Sequence, residues 1–222
     1  MFFLDSVNIS EIDLILSRGL VSGITTNPTI LMKENPDNPL EHLTNIVKKI
    51  REYGKNIPLS VQVMTENTQS MIDEAKYLQD YLDYDNLVIK IPIGWDELKV
   101  IYELSKQNIS VNCTCCMTEI QVSLAANAGA DYASIFYGKT SDSGIDPKIL
   151  VKNSVKYLNN SKTSCKLIVG SLRTDWVITE IIRENADIVT VPAKFFKSLV
   201  SNDKTKEAIS LFAENYPKKD WL

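Results

Sequence analysis

Apolar residues recur along this chain in two rhythms. Short runs of Val, Ile, Leu and Phe, continuous or alternating with polar residues, have the pattern of strands, and the longer segments between them carry apolar positions three and four apart, the period of an amphipathic helix. The first rhythm predicts strands near Phe2–Leu4, Ser22–Thr25, Leu59–Val63, Leu87–Ile91, Ser110–Cys113, Tyr132–Phe136, Lys166–Val169 and Ile188–Val191. The second predicts helices near Ile9–Ser17, Leu40–Tyr53, Thr68–Leu82, Asp96–Lys106, Thr118–Ala128, Pro147–Leu158, Asp175–Glu184 and Ala193–Leu199. Alternating βα units of this number and length predict an α/β fold, a (β/α)8 TIM barrel forming a single domain over residues 1–222. A doubly wound sheet is the alternative, but no Gly-x-Gly-x-x-Gly loop follows the first strand to support a dinucleotide site. The turn cluster Asn35-Pro36-Asp37-Asn38-Pro39 is expected as a loop on the barrel rim rather than a linker. Residues 204–222 are expected to add an amphipathic C-terminal helix, with Ala208, Ile209, Leu211 and Phe212 apolar. A tail ending in Trp221-Leu222 would then dock on the barrel or on a neighbouring subunit.

One strand breaks its own pattern. Leu87-Val88-Ile89-Lys90-Ile91-Pro92-Ile93 has the continuous apolar character of a buried parallel strand, yet a lysine stands in its middle. Two readings are open. The stem of Lys90 packs while its head reaches water or a carboxylate, or burial lowers its pKa until the amine is nucleophilic near neutral pH. Strand alternation supplies its company. Leu87, Ile89 and Ile91 share one parity, suited to helix packing, and Val88 and Lys90 the other; Leu59, Val61 and Val63 oppose Ser60 and Gln62 in the same way. Asp5 is in phase with Phe3, and Thr114 with Asn112. Asp5, Gln62, Lys90, Asn112 and Thr114 are thus expected to project inward near the C-terminal ends of four strands, the face on which barrel enzymes build active sites. Singly, each has a plainer role: a helix cap for Asp5, a bonded core amide for Gln62, a β-branched strand end for Thr114. Around a lysine, Asp5 is the candidate acid–base partner that forming and dehydrating a carbinolamine requires.

Composition narrows the chemistry. With 44% hydrophobic and 23% charged residues the chain has the makeup of a soluble globular protein, and its net charge of −4 with scattered lysines excludes the electrostatic footprint of a nucleic-acid or anionic-membrane partner. Met1-Phe2-Phe3-Leu4 meets Asp5 too soon for a signal sequence, and no apolar run approaches a membrane span, so a cytoplasmic location is expected. Cys113, Cys115, Cys116 and Cys165 lack histidines at zinc spacing and are expected to be reduced thiols in the core. The only histidine, His42, lies in Pro39-Leu40-Glu41-His42-Leu43-Thr44, expected to be an exposed helical stretch. A Ser–His or Cys–His hydrolase is therefore disfavoured, and proton transfer falls to carboxylates, lysine or water.

Gly23-Ile24-Thr25-Thr26-Asn27-Pro28-Thr29-Ile30 leaves the second strand with hydroxyls and an amide at the rim and starts a helix with Pro28 in its first turn. Together with Leu4-Asp5, Val61-Gln62-Val63 and Val88-Ile89-Lys90-Ile91-Pro92, this segment resembles the transaldolase family over essentially the whole chain, and in particular its small branch of short transaldolases and fructose-6-phosphate aldolases. The resemblance implies a (β/α)8 class I aldolase that needs no metal or other cofactor, with Lys90 forming a Schiff base with a ketose and Asp5 as acid–base residue. It implies that Thr25 and Asn27 contact substrate hydroxyls, that Thr114 of Asn112-Cys113-Thr114 positions a catalytic water, and that Ser171 and Arg173 hold a substrate phosphate. Asn112, Phe136 and Arg173 side with the transaldolase branch. Sugar phosphates are the implied substrates, and a homo-oligomer, pentamer or decamer, the implied assembly.

This chain departs from that pattern at several places. Gln62 stands where many transaldolases carry a glutamate that works with the water, and the aldolase branch a glutamine. Lys139 replaces an arginine that helps bind phosphate, giving a point charge for a planar fork. Cys115 and Cys116 replace aliphatic residues and are expected to be small core hydrophobes. Three functions stay open: transfer of a three-carbon dihydroxyacetone unit to an aldehyde phosphate, aldol cleavage and synthesis of the fructose-6-phosphate aldolase type, and a barrel that binds sugar phosphate without turning it over.

Overall fold

A computed structural model of the chain describes residues 1–215. The apolar runs become strands β1 (Phe2–Asp5), β2 (Ile24–Thr25), β3 (Leu59–Gln62), β4 (Leu87–Pro92), β5 (Val111–Cys116), β6 (Tyr132–Phe136), β7 (Lys166–Gly170) and β8 (Ile188–Val191). They pair in sequence order, all parallel, and β8 returns to β1, with Leu4 opposite Val191, to close an eight-stranded (β/α)8 TIM barrel. Helices α1 (Ile9–Leu16), α2 (Pro28–Glu34), α3 (Pro39–Glu52), α4 (Thr68–Leu82), α5 (Trp95–Lys106), α6 (Glu119–Asn127), α7 (Tyr137–Asp142), α8 (Pro147–Asn160), α9 (Trp176–Arg183), α10 (Ala193–Leu199) and α11 (Asp203–Asn215) follow the strands. β2 is two residues shorter than its apolar pattern, and α7 has no counterpart in the sequence reading, because Tyr137-Gly138-Lys139-Thr140-Ser141-Asp142 carries no helical apolar period.

Helix starts are fixed by short polar side chains. Asn8, Asn27, Asn38, Asn67 and Asp146 each accept a first-turn amide, Thr118 forms a reciprocal cap with Gln121, and Pro28, Pro39 and Pro147 occupy first-turn positions that need no amide donor. Each cap contributes about 1 kcal/mol. The turn cluster does separate two elements: Asn35 ends α2 in the left-handed conformation at φ 51°, and Asn38 caps α3.

Strand alternation divides the apolar residues into two cores. The outward set, including Leu4, Ile24, Leu59, Val61, Ile89, Ile91, Val111 and Val169, packs against the helices, where Ile12, Ile46, Leu78, Val100 and Leu104 close the layer. Cys113, Cys116 and Cys165 are buried in this layer as free thiols, as expected. The inward set begins with a separate cluster of Phe3, Ile168 and Ile188, with Tyr132 against it, filling the lower barrel. Gly23 makes this possible: a Cβ there would lie 2.4 Å from the Phe3 ring. Above the cluster the inward positions turn polar.

One expectation is corrected outside the barrel. His42 is half-buried rather than exposed, and its Nε2 lies 2.7 Å from the Val7 carbonyl oxygen, a contact that ties α3 to the loop after β1. The C-terminal helix forms as expected over Asp203–Asn215, and its Ile209, Leu211 and Phe212 stand in solvent at 62%, 54% and 71% exposure. The docking expected of Trp221-Leu222 lies outside the described residues. No helix among the described residues is long and apolar enough to cross a membrane.

Candidate active site

The upper, C-terminal half of the barrel holds a cavity of about 380 Å³, of the size that accepts a small ligand. Its walls are the inward residues at the strand ends, Asp5, Thr25, Gln62, Lys90, Thr114, Phe136 and Thr190, together with Asn27 to Ile30 at the start of α2. Register explains the convergence. Gln62 lies opposite Lys90, and Lys90 opposite Asn112, so parity and depth along neighbouring strands coincide.

Lys90 is 4% exposed. Its Nζ donates to the Thr26 carbonyl oxygen at 2.7 Å, and that carbonyl is held by the Thr26 hydroxyl, which donates to the Ser60 carbonyl oxygen at 2.8 Å. An ammonium ion has three protons to place, and one carbonyl is a thin replacement for its hydration. Burial accordingly lowers the Lys90 pKa below 10.5, with the charges of Asp5 and Cys115 opposing the change. Asp5 moves the other way. Burial raises its pKa above 3.8, while the Lys90 ammonium and the Thr25 hydroxyl, which donates to Oδ1 at 2.9 Å, favour the carboxylate. The two shifts run in the directions a Schiff-base site uses, the amine towards its neutral form and the carboxyl towards holding a proton.

Thr114 is fully buried, and its hydroxyl has no hydrogen-bond partner among the described residues. Such an oxygen on the wall of a polar cavity is a natural place for a water or a substrate hydroxyl. Asn27 uses its side-chain oxygen to cap α2 at Ile30 N, 3.0 Å, which orients the amide on the cavity wall. Asn112, in contrast, lies beneath the cavity. Its amide donates to Ser60 Oγ at 3.3 Å and accepts from Ser134 Oγ at 2.7 Å, so it braces the floor from below.

Cys115 departs from its expected place in the core. The β5–β6 ladder shifts register between Cys113 and Cys116, and Cys115 takes φ 66° there. The bulge turns Cys115 onto the cavity wall and sends Cys116 into the core. Burial raises the Cys115 thiol pKa, with the Thr114 hydroxyl and Lys90 opposing the change.

The three residues implicated in phosphate binding do not meet in one place. Ser171 lines the cavity mouth with φ 60°, its carbonyl oxygen accepting from Gly138 N at 3.0 Å. Arg173 lies on a neighbouring cleft with Trp176, its guanidinium paired to Asp142 at the end of α7. The missing side chain of Gly138 makes room for both, since a Cβ there would lie 2.4 Å from the Ser171 carbonyl oxygen and 3.2 Å from Arg173 Nε. Lys139 is exposed on α7 and lines neither space. Sequence reasoning missed Thr190, Ser134 and Cys115 at the site. Thr190 carried one usable signal, its inward parity with Ile188 on β8. No group of three or more His, Cys, Asp or Glu among the described residues is placed to hold a metal ion.

Comparison with known proteins agrees with this geometry. The family model described as Transaldolase/Fructose-6-phosphate aldolase matches residues 2–220. A probable transaldolase of Thermoplasma volcanium is 36% identical over 216 residues, covering 97% of this chain and 95% of the relative. The probable transaldolase 2 of Listeria monocytogenes is 36% identical over 220 residues, covering 99% and 95%. Matched along its whole barrel, the chain belongs to the transaldolase/fructose-6-phosphate aldolase family and is an enzyme of transaldolase or aldolase type.

Proposed function

We propose that this enzyme is a Schiff-base ketose aldolase of transaldolase type, moving a three-carbon dihydroxyacetone unit from a ketose phosphate to an aldehyde phosphate. The observation that carries the reading is Lys90, an amine buried on the cavity wall with one backbone carbonyl as partner and a carboxyl group across the barrel. In this mechanism Lys90 Nζ attacks the C2 carbonyl, and Asp5 gives a proton to the carbinolamine oxygen so that water leaves and the imine forms. A water on the Thr114 hydroxyl takes the C4 hydroxyl proton as the C3–C4 bond breaks, releasing an aldehyde and leaving an enamine on Lys90. Attack of that enamine on a second aldehyde, then hydrolysis of the new imine, completes the transfer. Thr25 and Asn27 would hold substrate hydroxyls, and Asn112 would act from below by fixing the floor. On assembly, the exposed Ile209, Leu211 and Phe212 of α11 offer apolar surface for a homo-oligomer, pentamer or decamer by likeness to the small members of the family.

The test is a coupled assay of fructose 6-phosphate with and without erythrose 4-phosphate. Product that requires the acceptor supports transfer. Product formed equally without it supports the second reading, aldol cleavage, which Gln62 favours because a neutral amide can hold a water but cannot take its proton. Gln62→Glu is then expected to raise transfer relative to cleavage, read as the ratio of the two assays. An unchanged ratio removes Gln62 from the partition.

Phosphate affinity is the other specificity question. Arg173 is 59% exposed and already paired with Asp142, so it must exchange one anion for another to hold a phosphate. A charged hydrogen bond in a buried site contributes about 1.5–3 kcal/mol, and exposure and exchange reduce that to roughly 1 kcal/mol here. Arg173→Ala is expected to raise KM for fructose 6-phosphate about fivefold and leave dihydroxyacetone unaffected. Equal effects on both substrates would place the phosphate elsewhere.

A further inference from the structure

A buried pair of hydroxyls stands beside Asp5. Thr190, on β8 and 6% exposed, has its hydroxyl oxygen 2.6 Å from that of Thr25, the same hydroxyl that lies 2.9 Å from Asp5 Oδ1. Both separations require a proton between the oxygens. Thr25 has only one to give. When Asp5 is ionised, that proton must go to the carboxylate, so the proton in the shorter contact comes from Thr190. The order is Thr190 to Thr25 to Asp5.

The side chain that starts this chain has little freedom. Threonine branches at Cβ, so placing its methyl also places its hydroxyl. The Thr190 methyl lies over Gly170 on β7, and a Cβ built on Gly170 would be 2.8 Å from Thr190 Cγ2. Gly170 thus provides the space in which the methyl sits while the hydroxyl meets Thr25.

We infer that Thr190 is a positioning residue for the acid–base carboxylate: packed against Gly170, it donates to the Thr25 hydroxyl and keeps that hydroxyl donating to ionised Asp5. The inference rests on the acid–base role proposed for Asp5. A donor that is itself receiving a hydrogen bond is polarised and stabilises an anion better than one acting alone. The titratable groups facing Asp5 are Lys90 from β4 and, beyond it, Cys115 from β5; β2, β3 and β8 contribute the neutral Thr25, Gln62 and Thr190. Loss of the Thr190 hydroxyl therefore changes the support of the carboxylate without adding or removing a charge.

Thr190→Val keeps the branched shape and removes the hydroxyl. The limb of its kcat/KM profile on which Asp5 loses its proton, the alkaline one for a general acid, is expected to move up by about half a pH unit, because a carboxylate with weaker support ionises at higher pH. kcat should fall several-fold with KM for fructose 6-phosphate nearly unchanged, and Thr190→Ser should restore the limb. Gly170→Ala provides a second route, since its new methyl displaces Thr190. It should move the limb in the same direction, and the double variant Gly170→Ala/Thr190→Val should move it no further than Thr190→Val alone. An unmoved or downward-moving limb in Thr190→Val, or a Thr190→Ser variant that behaves like it, overturns the inference. If Thr190→Val does not fold, the limb of Gly170→Ala decides by the same criterion. Borohydride trapping of dihydroxyacetone on wild-type Lys90 separates the two levels. Trapping with an unmoved limb rejects the Thr190 role alone, whereas absence of trapping on Lys90 rejects the Schiff-base reading itself.

Discussion

Replacing Lys90 with methionine is expected to lower kcat on the order of 10⁴-fold or more and to leave the barrel at least as stable as before. The activity loss follows from removing the only amine that the described residues place on the cavity wall. The stability gain follows from the sign of the Lys90 shift. Its folded-state pKa lies below 10.5 even with Asp5 attracting the ammonium, so desolvation outweighs that attraction. Below the folded pKa the amine is protonated in both folded and unfolded chains, and the fold bears the full cost of the buried charge. As pH rises from the folded pKa towards 10.5 that cost disappears. Lys90→Met should therefore be most stabilising on the acid side of this window, with the gain fading towards pH 10.5, as read from denaturant melts across pH. In the wild type, borohydride with fructose 6-phosphate should leave a three-carbon adduct on Lys90, located by peptide mass. Labelling of a different lysine would sink the mechanism.

Asp5→Asn is expected to cost about 10²–10⁴-fold in kcat, the usual range for a positioned acid–base group. Asparagine keeps the size of the side chain and can still accept from Thr25, but it cannot carry the proton that carbinolamine dehydration consumes. Borohydride trapping at Lys90 should persist at a lower rate, which distinguishes a missing acid from a missing nucleophile. Burial raises Asp5 above 3.8, so the folded chain holds this proton more tightly than the unfolded one. The stability it contributes is present below pH 3.8 and lost as pH rises through the folded value. Asp5→Asn should flatten that decline. A variant within tenfold of wild type in kcat would move the acid–base role to another group.

Both residues were legible in the sequence for one reason: strand alternation is a strict period of two, and a polar residue in an otherwise apolar strand shows on which face it stands. The same rule placed Gln62 and Thr114 correctly. Alternation fixes the face but not the depth, which is why Asn112, in phase with Thr114, lies beneath the cavity rather than on its wall. It fails outright where the ladder slips. Continued from Asn112 and Thr114, it turns Cys115 outward and Cys116 inward, and the bulge reverses both. Arg173 and Lys139 come after their strands have ended, and no periodicity governs where they point. Thr190 escaped notice because a threonine in a parallel strand is ordinary. Its significance lies in two neighbours far away in sequence, Gly170 and Thr25.

The ring of Phe3, seated in the space left by Gly23 among Tyr132, Ile168 and Ile188, makes the barrel a blind tube. Among the described residues, the cavity opens at the C-terminal rim. An aldehyde released in the first half of a transfer has to leave by the route its replacement must take, so the two cannot pass each other beside Lys90. In the proposed transfer, turnover in such a tube is ping-pong: the first product departs, the modified lysine waits, and only then does the acceptor enter. The closed end of the barrel, packed into the space left by a glycine outside the cavity lining, confines both aldehydes of that proposed transfer to the same rim.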